Sequence, residues 1–98
     1  GNYDSLAQCM TEKGVVMYGS FRCGVCARTR EMFGQSFKYI PEIECHPQGI
    51  NPQTELCLEK NIEGTPTWAL NDPSGNEIKR NVGFMSIDEL KEFSGCIE

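Results

Sequence analysis

Two cysteines, Cys23 and Cys26, stand two residues apart directly after the apolar run Val15-Val16-Met17-Tyr18, in the stretch VVMYGSFRCGVCARTR. A pair at this spacing is suited to three kinds of chemistry: disulfide exchange, half of a metal site, or an inert staple. The staple explains the spacing poorly, because so small a loop yields little entropic gain when closed. A zinc site would need further ligands, and Cys45, His46 and Cys57 are the ones that could join. Structural zinc sites present two close pairs, and Cys45 and Cys57 are too far apart for a second knuckle. His46 reads instead as a solvated loop residue, and no metal is expected. Exchange fits the spacing best.

Exchange requires that one thiol be activated and the other lie within reach, so the flanking elements matter. Val15 to Tyr18 reads as a short buried strand, Gly19 to Arg22 as a loop, and Cys23 to Phe33 as a helix ended by Gly34. Cys23 then sits on the positive end of a helix, where unsatisfied N–H groups favour thiolate over thiol. Thiolate is the attacking species, which makes Cys23 the nucleophile and Cys26 the resolving thiol. Arg22 and Arg28 would add to the positive field.

The remaining chain supplies a frame. Asp4 or Ser5 can cap a first helix carrying Leu6, Cys9 and Met10, which Gly14 stops. Phe37, Tyr39, Ile43 and Cys45 alternate as in a second strand, disturbed by Pro41. Asn51-Pro52 reads as a cap and first-turn proline opening a helix to about Lys60. Thr67 to Leu70 and Glu77 to Arg80 form a hairpin around Asp72-Pro73-Ser74-Gly75-Asn76. Ser86 and Glu89 make a capping box for a last helix with Ile87, Leu90 and Phe93 on its core face. This order predicts an α/β domain: a mixed four-stranded sheet with right-handed crossovers, closed by an antiparallel hairpin and flanked by helices.

The 98 residues suffice for one domain, expected over 1–98. A net charge of −5 argues against a nucleic-acid partner, which needs a basic patch. Six cysteines point to an oxidising compartment and permit 15 pairings. Cys9, on the face of Leu6 and Met10, reads first as a buried free thiol, with a bridge to Cys96 as the alternative. Thr65-Pro66 precedes a strand after Gly64, a setting compatible with a cis bond or with an ordinary edge-strand proline. Trp68, in that strand, reads as core or groove wall. The chain opens Gly1-Asn2 without an initiator Met, and is expected to be trimmed from a longer one that could carry a membrane segment.

With Cys23-Gly24-Val25-Cys26 at a helix start and Thr65-Pro66 at a strand start, the chain resembles the thioredoxin-like superfamily over nearly its whole length. More narrowly, MYGSFRCGVCARTREMFG, IEC, NPQTELC and IEGTPTW are similar to the thioredoxin-like domain associated with bacterial and plant vitamin K epoxide reductase homologues. The resemblance implies catalytic Cys23 and Cys26, a substrate-facing Thr65 with cis-Pro66, and a second, structural cysteine pair matched by Cys45 and Cys57. It implies no cofactor. It also implies a quinone-linked membrane partner or fused domain, cysteine-containing exported proteins as substrates, and a place in the periplasm or thylakoid lumen. Two departures fall where potential is tuned. Arg22 replaces the usual aromatic residue before the first cysteine, and Gly24-Val25 replaces the Pro-His of strong oxidases, removing a donor to the thiolate.

The expected function is therefore thiol–disulfide exchange with exported proteins. A thioredoxin- or glutaredoxin-type reductase is the second reading, weakened by the missing Trp-Cys-Gly-Pro-Cys pattern. A non-catalytic module holding peptides at its proline loop or at Trp68 is the third, and the intact cysteine pair argues against it.

Overall fold

The computed structural model describes residues 1–97. Its elements follow in the order α1 (Asp4–Lys13), β1 (Val15–Gly19), α2 (Gly24–Phe33), a 3₁₀ segment (Gly34–Tyr39), β2 (Glu42–Glu44), α3 (Thr54–Glu59), β3 (Thr67–Asn71), β4 (Glu77–Val82) and α4 (Ile87–Ser94). The strands form one sheet in the order β2-β1-β3-β4. β1 runs parallel to β2 and antiparallel to β3, and β3 and β4 make the expected hairpin. The sheet is therefore mixed, with β1 central and its C-terminal end feeding the cysteine loop.

Strand periodicity divides the interior in two. Val15 and Met17 point with Trp68 into a large core shared with Leu6, Met10, Cys26, Phe33, Leu90 and Phe93. Tyr18 and Ala69 point the other way, into a smaller cluster with Val16, Ile43 and Cys57. Helices α1, α2 and α4 contribute to the first cluster and α3 to the second, giving a three-layer arrangement. Full burial of each large apolar side chain contributes about 1.5–3 kcal/mol. Trp68 belongs wholly to this core, and its Nε1 is buried without a hydrogen-bond partner.

Several boundaries differ from the sequence expectations, each for a local reason. Asp4 lies inside the first turn of α1, behind an N-cap at Tyr3. Its carboxylate accepts from the Gly1 ammonium and the Ser36 hydroxyl. Phe37 and Tyr39 are not in a strand. Ser36 is tied to Asp4 and to the Tyr3 N–H, which winds Gly34–Tyr39 into a 3₁₀ turn against α1. Strand pairing begins only where the Pro41 carbonyl accepts from the Met17 N–H, at 3.0 Å. The third helix starts at Thr54, because Asn51 adopts a left-handed φ of 49° that no N-cap uses. Gln53 N–H and Thr54 Oγ1 instead donate to the Glu44 and Cys45 carbonyls, fastening this segment to the end of β2.

Turn chemistry otherwise follows the residues. Gly14 closes α1 at φ 101°, and a Cβ there would collide with the Asn71 carbonyl, so the tight α1–β1 junction requires glycine. Asp72 Oδ1 accepts from Ser74 N–H and Asn76 N–H in the hairpin turn. Ser86 and Glu89 form both halves of the capping box.

The cysteines sort into three pairs. Cys9 is bridged to Cys96, which replaces the buried free thiol expected at Cys9 and links α1 to the residue following the α4 C-cap. Cys45 is bridged to Cys57, joining the end of β2 to α3. Cys23 and Cys26 carry free thiols.

Candidate functional site

Cys23 is the N-cap of α2, in extended conformation, and its sulfur accepts the Cys26 N–H at 3.0 Å. The thiol thus occupies the place usually taken by a serine or aspartate oxygen, answering one of the orphan donors of the first turn. Because those donors stabilise negative charge, the geometry favours thiolate at Cys23. Partial burial pushes the Cys23 thiol up. Hydrogen bonds with the Cys26 and Thr65 side chains, and with the backbone of Cys26 and Val25, outweigh burial and hold it below the ordinary thiol value. Cys26 responds in the opposite sense: it is fully buried, and desolvation followed by its contact with Cys23 pushes it up to about 12. One thiol is thus poised to ionise and its neighbour to remain protonated. This division suits a nucleophile and a resolving group.

The Thr65–Pro66 peptide is cis, and the Cys23 thiol donates to the Thr65 carbonyl at 3.3 Å. Pro66 is buried, and its carbonyl accepts from Gly83 N–H at 2.7 Å. The start of β3 is therefore held against the first turn of α2 by residues about forty positions apart in sequence. Exposed apolar side chains flank this meeting point: Phe21 before Cys23, Val25 after it, and Val82 at the end of β4. Val82 lies beside Gly64, across the loop that leads into Pro66.

The basic residues are arranged differently from the sequence expectation. Arg22 donates to Gln48 Oε1 at 2.8 Å and stacks near Phe21, while Arg28 lies over the Phe84 ring at 4.2 Å. The arginine that braces the cysteine loop is Arg30, which donates to the Ser20 carbonyl and forms a forked ion pair with Glu42 (Nε–Oε1 2.9 Å, Nη2–Oε2 2.5 Å). Sequence reasoning passed over Arg30 and Glu42. The available signal was helical spacing: Arg30 follows Cys26 by one turn, on the same face. On β2, Glu42 and Glu44 share the face opposite Ile43. Glu44 in turn accepts from Phe21 N–H and His46 N–H. These groups line an open cleft of about 450 Å³ beside the loop, with Phe21 and Ile50 at its rim.

Gly24 has open space where a side chain would project, and Val25 is exposed beside Cys23. His46 Nδ1 accepts from Gln48 N–H, and its ring meets the edge of Phe21. Among the described residues, no group of three or more His, Cys, Asp or Glu is placed to hold a metal ion. Cys45 and Cys57, two of the candidate zinc ligands, are bonded to each other.

No family model matches the chain. Among curated proteins it is similar to the thiol-disulfide oxidoreductase LTO1 of Arabidopsis thaliana, at 36% identity over 95 residues. That match takes in 93% of this chain and 24% of the relative, so the chain spans about a quarter of that protein's length. Among solved structures, reduced thioredoxin pre-protein from Schistosoma mansoni superposes with a TM-score of 0.64 at 22% identity, covering 97% of this chain and 89% of that one. Oxidised mitochondrial thioredoxin 3 from Saccharomyces cerevisiae gives 0.63 at 13% identity, covering 96% and 86%. The exposed lipoprotein thioredoxin Etrx1 of Streptococcus pneumoniae gives 0.62 at 14%, covering 88% of each. The mixed sheet, the dithiol opening α2 and the cis-proline facing it thus lie on a shared framework, and the chain has the thioredoxin fold.

Proposed function

We propose that this chain is a thiol–disulfide oxidoreductase domain that passes its Cys23–Cys26 disulfide to cysteine pairs of exported proteins. The observation that carries the reading is the asymmetric dithiol, with an activated Cys23 at the α2 terminus and a buried, protonated Cys26 directly behind it. In the oxidised domain, a substrate thiolate attacks Cys23 Sγ, a mixed disulfide forms, and Cys26 leaves as a thiolate that takes up a proton. The second substrate thiolate then attacks the substrate sulfur of that bond. Substrate leaves oxidised, and Cys23 leaves as the thiolate that the helix terminus stabilises.

Thr65 and cis-Pro66 would receive the substrate backbone beside Cys23, with Phe21, Val25 and Val82 offering apolar contact. The name of the Arabidopsis relative supports exchange chemistry. Two further disulfides in so small a domain support an oxidising compartment such as the periplasm or thylakoid lumen. Re-oxidation is assigned to a quinone-linked, vitamin K epoxide reductase-like membrane partner or fused domain. Among the described residues no helix is long and apolar enough to cross a membrane.

The test is a trapping experiment. Cys26→Ala should accumulate a mixed disulfide through Cys23 with a reduced, cysteine-bearing protein in an oxidising buffer, whereas Cys23→Ala should not. Absence of any Cys23-linked adduct would sink the assignment. A reduction potential near or below about −270 mV would favour the reductase reading over the oxidase.

A further inference from the structure

Behind the dithiol lies a charge pair that the exchange chemistry above does not use. Arg30 Nη2 donates to the Ser20 carbonyl at 3.1 Å, and the Cys23 N–H donates to that same carbonyl at 3.1 Å. Arg30 therefore grips the loop carbonyl that also receives the N–H of the nucleophilic cysteine. Its own position is fixed by the fork to Glu42, and both side chains are largely covered, at 30% and 19% exposure. Glu42 lies where a Cβ on residue 19 would stand, so glycine at the end of β1 is what lets the carboxylate reach in. The result is a β1–α2–β2 clamp with one positive and one negative charge.

We propose that the Arg30–Glu42 pair is a positioning element that sets the oxidising strength of the Cys23–Cys26 couple. The inference rests on the oxidoreductase reading. Reduction of the Cys23–Cys26 bond takes two electrons from a substrate dithiol, which becomes a disulfide, and leaves Cys23 thiolate and Cys26 thiol after one proton is taken up. Negative charge therefore appears at Cys23 only in the reduced state. The Arg30 guanidinium favours that state and the Glu42 carboxylate opposes it. The other charged groups around the loop are engaged elsewhere: Arg22 with Gln48, Arg28 on Phe84, and Glu44 with the Phe21 and His46 N–H groups. His46 packs its ring against the edge of Phe21, and its Nδ1 accepts from the Gln48 N–H. The two members of the pair thus act on the couple with opposite sign.

The experiment compares wild type with Arg30→Met, Arg30→Lys and Glu42→Gln. Each is equilibrated with glutathione buffers and separately alkylated across pH. Arg30→Met should lower the equilibrium constant for reduction about tenfold, which is about 30 mV toward reducing potentials. Its Cys23 alkylation midpoint should rise by about one pH unit. Glu42→Gln should move both readouts the other way, and Arg30→Lys should restore most of the wild-type value. Loosening of the fold cannot produce shifts of opposite sign. The inference is overturned if Arg30→Met and Glu42→Gln shift the potential in the same direction, or if both stay within twofold of wild type. If Arg30→Met does not fold, Glu42→Gln and Arg30→Lys decide the matter by the same criterion. Failure of wild type to form any mixed disulfide would instead defeat the underlying activity, while the alkylation profiles would still report on the pair.

Discussion

The Cys9–Cys96 bridge should be the larger of the two structural staples, and the difference follows from chain length alone. It joins residues separated by 87 positions, against 12 for Cys45–Cys57. Closing these loops removes denatured-state entropy worth about 4.6 and about 2.9 kcal/mol, respectively, at 25 °C. A domain of this size is stabilised by only about 5–15 kcal/mol in total. A Cys9→Ala/Cys96→Ala protein is therefore expected near the edge of folding, with a Tm lowered by roughly 20–35 °C at about 4–8 °C per kcal/mol. Alanine at both positions leaves no unpaired polar group, so the loss reports the cross-link. The assay is non-reducing urea denaturation followed by Trp68 fluorescence, since that ring is fully buried and changes environment on unfolding. The variant should show a lower midpoint and a steeper slope, because its unfolded chain is freer to expand. Cys45→Ala/Cys57→Ala should lose less. If the short-loop variant proves equally or more destabilised, the chain-entropy argument fails for this protein.

Alkylation of the reduced protein should modify Cys23 with a midpoint below the ordinary thiol value of about 8.5, and leave Cys26 unreacted until far higher pH, as mass mapping of the labelled residue would show. The raised Cys26 favours folding at pH below its unfolded value of about 8.5, and this contribution is lost as pH rises toward about 12. The lowered Cys23 contributes with opposite sign: its stabilisation is present above its unfolded value and lost as pH falls through its folded one. Reduced wild type should accordingly lose stability faster than reduced Cys26→Ala when pH is raised above about 9, measured by denaturant midpoint, and parallel curves would contradict the desolvation argument. Ser86→Ala removes one half of the α4 capping box and should cost about 1 kcal/mol, seen as a Tm lower by about 4–8 °C.

The parts of the fold legible in sequence were those written in local chemistry. The Ser86/Glu89 box, the Asp72–Asn76 turn and Gly14 each specify a conformation within a few residues, and each stands where it was expected. Cys23 at the start of the helix was legible because apolar strand, polar loop and helical spacing follow one another without a break, and the structure places it one position earlier, as the N-cap. Phe37 and Tyr39 misled because two alternate apolar positions are too short a pattern to fix a strand, and a tertiary tie from Ser36 to Asp4 winds the segment into a 3₁₀ turn instead. Asn51-Pro52 misled because its cap chemistry was overridden by hydrogen bonds from Gln53 and Thr54 to the end of β2. Arg30 and Glu42 meet only when α2 folds over the β1–β2 edge, a proximity that no local pattern announces.

The covalent link between α1 and the residue following α4 has a mechanical consequence. Tension applied to the ends of residues 9–96 meets the Cys9–Cys96 sulfur–sulfur bond before it meets any hydrogen bond of the sheet. Under pulling, β1 to β4 are shielded like the slack inside a knotted cord, and neither the Cys23 loop nor its proline partner carries load. Cleavage of that single bond would transfer the force to the sheet, through the β1–β3 pairing and the β3–β4 hairpin.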